Sequence, residues 1–172
     1  FQRAGRLARA PLAGGVPREL LDDVQDADWS PDGKGLAVAR SVGGRYRLEY
    51  PIGNVLYETE KWLSSPRFSR DGKRIGFMDH PLPGDNRGRV AVVDLSGKLT
   101  ILTEQFSSAG ELEWSHSGAE IWFNAGKTGN VGSLYGVDLS GDQRMVDGAP
   151  ANIGLHDISA AGKVLMSSND AR

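Results

Sequence analysis

Residues 27–34 read ADWSPDGK, a strand-like stretch that ends in a polar turn built on a glycine. The pattern returns as PRFSRDGK at 66–73, as LEWSHSGA at 112–119 and, in its most altered form, as HDISAAGK at 156–163. The turn glycines are 39, 46 and 44 residues apart, at Gly33, Gly72, Gly118 and Gly162. A period of this length indicates a repeated supersecondary unit, and this repeat decides the fold.

Strand signals fill the sequence between these turns, read from alternation and from β-branched or aromatic content. One strand follows each turn glycine directly, at 35–40, 74–79, 120–124 and 163–167. Another closes with a small-residue turn in three copies, at 7–12, 90–95 and 134–139. A last strand leads toward the next motif, at 18–24, 55–59, 99–103 and 143–146.

Four antiparallel strands per repeat describe one blade of a β-propeller, so the sequence predicts an all-β fold. The complete blades are expected at 25–60, 61–104 and 105–150. Residues 1–24 are expected to be the second half of one blade, and residues 151–172 the first half of another. We expect this segment to be part of a larger ring. In the alternative, the two halves pair and close a four-bladed ring.

One segment also fits a helix. In residues 17–24 a proline could take the first helical position, and Leu20, Leu21 and Val24 would share a face. Because its place in the repeat is that of an outer strand, we predict a strand here.

The repeated residues have structural explanations. The large apolar residue before each turn lies on the same face of its strand in every copy and is expected in the core between blades: Trp29, Phe68, Trp114 and Ile158. The Ser-Pro-Asp-Gly turn follows from the fixed φ of proline, local hydrogen bonding by aspartate and the positive φ open to glycine. Asp32 and Asp71 could instead bind a cation, but the later copies carry Ser117 and Ala161 there. We therefore predict no metal site.

Composition excludes several classes of function. The chain has 20 basic and 22 acidic residues and a net charge of −2, so nucleic acid is not an expected partner. It has no cysteine, which removes thiol chemistry and disulfides. No apolar run approaches the length of a membrane span, so direct membrane insertion of this piece is not expected.

No catalytic or cofactor-binding motif is complete. Gly126-Lys127-Thr128 resembles the end of a phosphate-binding loop, but Ile121 stands where that loop needs its first glycine. No Gly-x-Ser-x-Gly elbow occurs. The isolated histidines His80, His116 and His156 are expected in solvated turns. We predict no enzyme activity and no cofactor for this chain.

Candidate contact residues lie outside the repeated core. Asp22, Asp23 and Asp26, with Asp28, form an acidic stretch that could present carboxylates at a ring face. Trp62 falls in the predicted connection between two blades; exposed, it would contact a partner, whereas buried it would cap the core, which we favour.

The motifs at 29–34 and 68–75 resemble the WD-like β-propeller repeats of the TolB type, and the resemblance covers practically the whole chain. The chain is most similar to the propellers attached, beyond a membrane span, to bacterial serine/threonine kinases of the eukaryotic type and to some membrane-bound winged-helix regulators. This resemblance implies a sensory or protein-interaction role outside the cytoplasm, with the remaining blades in the same polypeptide and with a protein or small-molecule ligand that the sequence does not identify. His-Arg-Asp and Asp-Phe-Gly kinase signatures are absent.

Two functions are compatible with these features. The first is a non-catalytic interaction or ligand-sensing module of a larger bacterial protein. The alternative is the gating propeller of a prolyl-oligopeptidase-like serine peptidase, whose catalytic domain would lie outside this chain.

Overall fold

The structure is a computed structural model in which residues 4–128, 132–147 and 152–169 are described. These residues form strands and turns, and no helix occurs among them. In chain order, strands β1 to β15 are Gly5–Arg9, Arg18–Trp29, Leu36–Val42, Arg45–Glu49, Val55–Thr59, Trp62–Phe68, Arg74–His80, Arg89–Asp94, Leu99–Ile101, Ser108–Trp114, Glu120–Gly126, Ser133–Asp138, Gln143–Asp147, Asn152–Ile158 and Val164–Asn169. None of the described segments is a helix that could cross a membrane.

The strands form four sheets in which each strand pairs antiparallel with its neighbours in sequence. The first sheet has the order β1-β2-β3-β4-β5, the second β6-β7-β8-β9, the third β10-β11-β12-β13 and the fourth β14-β15. This confirms the predicted all-β fold of four-stranded antiparallel blades in a propeller segment.

The core lies between the sheets, and both faces of the second sheet are buried. On β7, Ile75 and Phe77 belong to an apolar cluster shared with the first sheet, whereas Met78 belongs to the cluster shared with the third sheet. Side chains alternate between the two faces of a strand, so one apolar run serves both interfaces.

The polar turns have the predicted backbone role. Ser30 Oγ donates to Asp32 Oδ1 at 2.6 Å, the amide of Lys34 donates to the same carboxylate oxygen at 3.1 Å, and Gly33 has φ 68°. Ser69 and Asp71 repeat these bonds in the second sheet. The carboxylates of this motif therefore hold their own turns.

The large apolar residues before the turns are buried in three of the four copies. Phe68, Trp114 and Ile158 are 7%, 2% and 3% exposed, and each packs toward the preceding sheet; Phe68 makes an edge contact with Tyr50 at 4.7 Å between ring centroids. The core prediction is wrong for Trp29, which is 45% exposed. Among the described residues, no separate sheet precedes the first one to cover this face, as the first sheet covers Phe68.

Strand β2 is one continuous strand that pairs with two different partners. Its first part pairs with β1, and its last part pairs with β3 from Val24 onward. Asp23, with φ 60°, lies at this change of partner. Residues 18–24 are thus strand and not helix. The blade limits themselves stay a prediction.

Two strands differ from expectation. The predicted strand at 7–12 runs instead over Gly5–Arg9, and Leu12 is fully exposed beyond its end. Strand β4 was not predicted, because its arginines obscure the apolar residues between them. Those arginines lie on the sheet surface, where Arg45 Nε donates to Glu58 Oε1 of β5 at 2.6 Å and Arg47 pairs with the same carboxylate.

Candidate functional site

The four strands that each lead into a repeated turn bring equivalent positions together. β2, β6, β10 and β14 lie side by side, and on each the residue immediately before the large apolar residue is charged. We call these residues the charged cleft: Asp28, Arg67, Glu113 and Asp157. They line one cavity of about 310 Å³, together with Arg70, Trp29 and Trp114.

Arg67 is the centre of the cleft. Its Nε donates to Glu113 Oε1 at 2.6 Å and its Nη1 donates to the Pro66 carbonyl at 2.8 Å. The same Nη1 lies 4.0 Å from Asp26 Oδ2. Asp28 Oδ2 accepts a hydrogen bond from the Phe68 amide at 2.8 Å, which ties the first sheet to the second. Neighbouring sheets are therefore joined by charged groups as well as by the apolar core.

Burial shifts the pKa values of the charged groups in and beside the cleft. It raises the pKa of the Asp28, Asp26 and Glu113 carboxyls above their ordinary values, and Arg67 only partly offsets this effect. Burial alone would lower the pKa of the Arg67 guanidinium, but the hydrogen bond to Glu113 and the surrounding carboxylates raise it. Three carboxylates and two guanidiniums, those of Arg67 and Arg70, line the cavity. The carboxylates are in excess by one, so a cationic group would be stabilised there.

The arrangement is suited to binding. Charged groups of both signs and two tryptophans meet at this cavity, a composition that favours a charged partner over an apolar small ligand. Among the residues that the structure describes, no group of three or more metal-ligating side chains is placed to hold an ion.

The predicted acidic stretch is divided by the structure. Asp26 is half-buried beside Arg67, but Asp22 is exposed and pairs with Arg6 at 3.1 Å. Asp23 is exposed at the bend of β2. Only Asp26 of these three predicted residues approaches the charged cleft, because the bend at Asp23 separates it from the two before it.

Trp62 begins strand β6 and does not lie in a connection. Its ring is half-buried and stacks on His80 at 4.0 Å between centroids, and its Nε1 donates to Gln25 Oε1 at 3.1 Å. It therefore joins the first and second sheets away from the charged cleft.

The prediction of a solvated turn is wrong for His80. This residue ends strand β7 and is 2% exposed, with Nε2 2.8 Å from Ser64 Oγ and Nδ1 2.8 Å from the Arg87 carbonyl. Burial lowers its pKa below the ordinary 6.5. Of the other two, His116 lies exposed in its turn, and His156 lies exposed on β14, where it contacts Ser167 at 2.9 Å.

Sequence reasoning missed Arg67, Glu113 and Asp157 as a group. The available signal was the residue before each large apolar residue, which carries a charge in all four repeats. Because the four charges differ in sign and residue type, the position does not stand out as a motif.

Comparison with solved structures shows the fold. The chain is similar to TolB from Acinetobacter baumannii, with a TM-score of 0.75, 21% identity, and coverage of 94% of this chain and 42% of that one. A TolB-type protein from Agrobacterium tumefaciens gives a TM-score of 0.75, 23% identity, and coverage of 97% of this chain and 64% of the other. The β-propeller domain of Cps50 (Swd1) from Myceliophteria thermophila gives 0.57, 16% identity, and coverage of 90% and 55%.

The chain therefore has a TolB-like β-propeller fold and spans less than two thirds of the length of these structures. No protein-family model and no curated protein matches it.

Proposed function

We propose that this chain is a non-catalytic β-propeller module of a larger bacterial protein that binds a partner protein at the charged cleft. The observation that carries the proposal is the convergence of Asp28, Arg67, Glu113 and Asp157 from four successive sheets onto one cavity. The TolB-like fold supports it, since propellers are platforms on which a binding surface is assembled from repeated strands.

The excess of carboxylates defines the chemistry of the partner. Arg67 is already paired with Glu113, and the Arg70 guanidinium donates to the Ile158 carbonyl. Asp157 is exposed at the cleft, and Asp28 accepts a hydrogen bond from the Phe68 amide with one of its oxygens. A lysine or arginine side chain of the partner would complete the charge balance. The indole of Trp29, exposed at the wall of the same cavity, would pack against the aliphatic part of that side chain.

The module is proposed to act outside the cytoplasm, as the sensor part of a serine/threonine kinase or of a membrane-bound regulator. The repeat motifs support this finer assignment through their resemblance to such propellers. The neighbouring domains of the full polypeptide test it: a kinase domain and a membrane span upstream would support it, whereas a downstream Gly-x-Ser-x-Gly strand-turn-helix would favour the gating propeller of a peptidase.

Binding is tested with two blocked peptides that differ only in a central lysine or glutamate, using isothermal titration calorimetry. The lysine peptide should bind, and the double variant Glu113→Gln/Asp157→Asn should weaken it by at least about fivefold, as expected when two charges leave a binding site. The matched control, Asp94→Asn/Asp138→Asn, removes the same charge from two outer turns and should leave affinity unchanged. Equal binding of both peptides, or equal loss in both variants, would refute the proposal.

A further inference from the structure

Arg70 is the second guanidinium of the charged cleft, and it differs from Arg67 in its place and in its pairing. Arg67 lies on strand β6 and is bound to Glu113, whereas Arg70 lies three residues later, in the turn that follows this strand. Arg70 is exposed, and its side chain lines the cleft cavity. The cleft therefore has its carboxylates on the strands and an exposed cation on the turn side.

The side chain of Arg70 is held in place by the next two sheets. A Cβ atom placed on Gly118 would lie 3.7 Å from Cβ and 3.8 Å from Cγ of Arg70, so the start of the side chain lies over this turn glycine. Farther out, its Nη2 donates to the carbonyl of Ile158 at the end of β14. Arg70 thus reaches from the second sheet across the third to the fourth, along the turn side of the cleft.

Most of the hydrogen-bonding capacity of this guanidinium is unused. An arginine carries five N–H donors, and within the described part of the chain Arg70 uses one of them, on a carbonyl, and forms no ion pair. Asp71, its neighbour in sequence, pairs instead with Lys73 and Arg74, at 4.0 and 3.8 Å. Because the planar guanidinium matches the two oxygens of a carboxylate, Arg70 is able to pair with an acidic group from outside the chain.

The fold itself does not require a guanidinium at this position. The equivalent residues of the other repeats are Pro31, His116 and Ala160. Pro31 and His116 lie over the next turn glycine as Arg70 does, each with an atom 3.6 Å from the Cβ that this glycine lacks. Different side chains therefore meet the packing requirement, and the charge of Arg70 is left for another role.

We propose that Arg70 determines which basic segments the charged cleft accepts, namely those in which the basic residue adjoins an acidic one. This inference rests on the proposed function, which supplies the basic residue. When a lysine side chain enters the cleft from the turn side, the next residue of the partner lies beside Arg70. A carboxylate there gains a charge-assisted hydrogen bond, whereas a second cation is repelled by the guanidinium. The excess of carboxylates alone would instead favour two adjoining basic residues.

Three blocked peptides test this proposal by isothermal titration calorimetry with the whole chain. They share a central lysine, and the residue after it is glutamate, glutamine or a second lysine. The lysine-glutamate peptide should bind about three- to fivefold more tightly than the lysine-glutamine peptide, as expected for one added exposed charge pair. The lysine-lysine peptide should bind more weakly than both.

The matched variant is Arg70→Gln, because glutamine keeps the Cβ and Cγ atoms that lie over Gly118. In this variant the lysine-glutamate peptide should lose its advantage over the lysine-glutamine peptide. The control is Lys73→Gln, which removes the same charge from the same turn at a residue that does not line the cleft cavity. The control should keep the original preference.

The proposal is wrong if the three peptides bind the original chain equally or if the lysine-lysine peptide binds most tightly. This comparison uses the original chain alone, so it decides the matter even where Arg70→Gln does not fold. A preference that survives in Arg70→Gln, or that is lost in Lys73→Gln, would also overturn it. Equal binding of the three peptides leaves the proposed function standing, whereas absence of binding by all three refutes both.

Discussion

Arg67 and Glu113 occupy equivalent positions in two adjacent sheets and are joined by a hydrogen bond of 2.6 Å between Nε and Oε1. Their side chains are 23% and 15% exposed, so the pair is largely withdrawn from water. The contact connects strand β6 to strand β10 at the charged cleft. The same pair therefore bears on the stability of the fold and on the electrostatics of the proposed binding site.

Removing Arg67 should destabilise the protein more than removing an exposed partner of similar geometry. Arg67→Ala leaves Glu113 half-buried without its counter-ion, and we expect a loss of about 2 to 4 kcal/mol in the free energy of unfolding by urea. The control is Arg45→Ala, since Arg45 also donates to a carboxylate at 2.6 Å but is 44% exposed; its expected cost is about 0 to 1 kcal/mol. Equal losses would mean that the cleft pair is not effectively buried.

Asp28 and Asp71 should respond to pH in opposite directions. Burial raises the pKa of Asp28 above its ordinary 3.8, so the native state holds this proton more tightly than the unfolded state, and stability falls as pH rises through this range. The hydrogen bond from Ser69 lowers the pKa of Asp71, so that its ionisation adds stability as pH rises toward and past 3.8.

The unfolding free energies of Asp28→Asn and Asp71→Asn, measured against the original chain between pH 3 and pH 7, check this. As pH rises, the Asp28→Asn variant should gain stability relative to the original chain. The Asp71→Asn variant should lose stability relative to it. If the stability differences of the two variants changed with pH in the same direction, the assigned environments of Asp28 and Asp71 would be wrong.

Trp114 and Trp29 occupy the same place in their repeats but should differ in energetic weight. Trp114 is 2% exposed and its Nε1 donates to the Arg67 carbonyl at 2.9 Å. Trp114→Ala should cost about 3 to 5 kcal/mol in urea unfolding, because it opens a cavity in the core. Trp29→Ala should cost less than about 1 kcal/mol, because Trp29 is already half exposed. A loss below about 1 kcal/mol for Trp114 would contradict its place in the core.

His80 should titrate below its ordinary range. It is 2% exposed, and burial disfavours the charged imidazolium more than the hydrogen bond to the Arg87 carbonyl favours it. The midpoint for its ring signals, followed by nuclear magnetic resonance, should therefore lie below 6.5. The unfolded chain binds this proton more readily than the native protein. His80 therefore also contributes stability that is present above pH 6.5 and is lost as pH falls through its native pKa. A midpoint at or above 6.5 would contradict its burial.

The repeat predicted the architecture well because its signals are local. A serine and a glycine at positive φ within one turn, and a strand that follows at once, leave the same pattern in every copy of the repeat. The burial of Trp29 was not local in this sense: it depends on a neighbouring sheet that packs on its face, and the described residues supply such a neighbour for Phe68 and Trp114 but not for Trp29. The prediction that His80 lies in a solvated turn was wrong for a related reason, because its partner Ser64 lies 16 residues earlier, on β6.

The candidate site was predicted less well than the fold. Asp26 was selected as part of an acidic run, whereas the residue it approaches, Arg67, lies in the next sheet, and this contact becomes visible only when β2 and β6 lie side by side. Asp22 and Asp23 were equally plausible by composition, and the bend in β2 separates them from the cleft. The location of a charge along a chain did not determine which charges meet.

The proposed binding at the charged cleft is tested most directly by the four tryptophan indole signals of the chain. Trp29 and Trp114 line the cleft cavity, whereas Trp62 stacks on His80 and Trp122 bonds to Glu120 elsewhere. On titration with the lysine peptide, the indole N–H signals of Trp29 and Trp114 should shift and saturate while those of Trp62 and Trp122 stay in place. Unchanged signals, or equal shifts of all four, would contradict binding at the charged cleft.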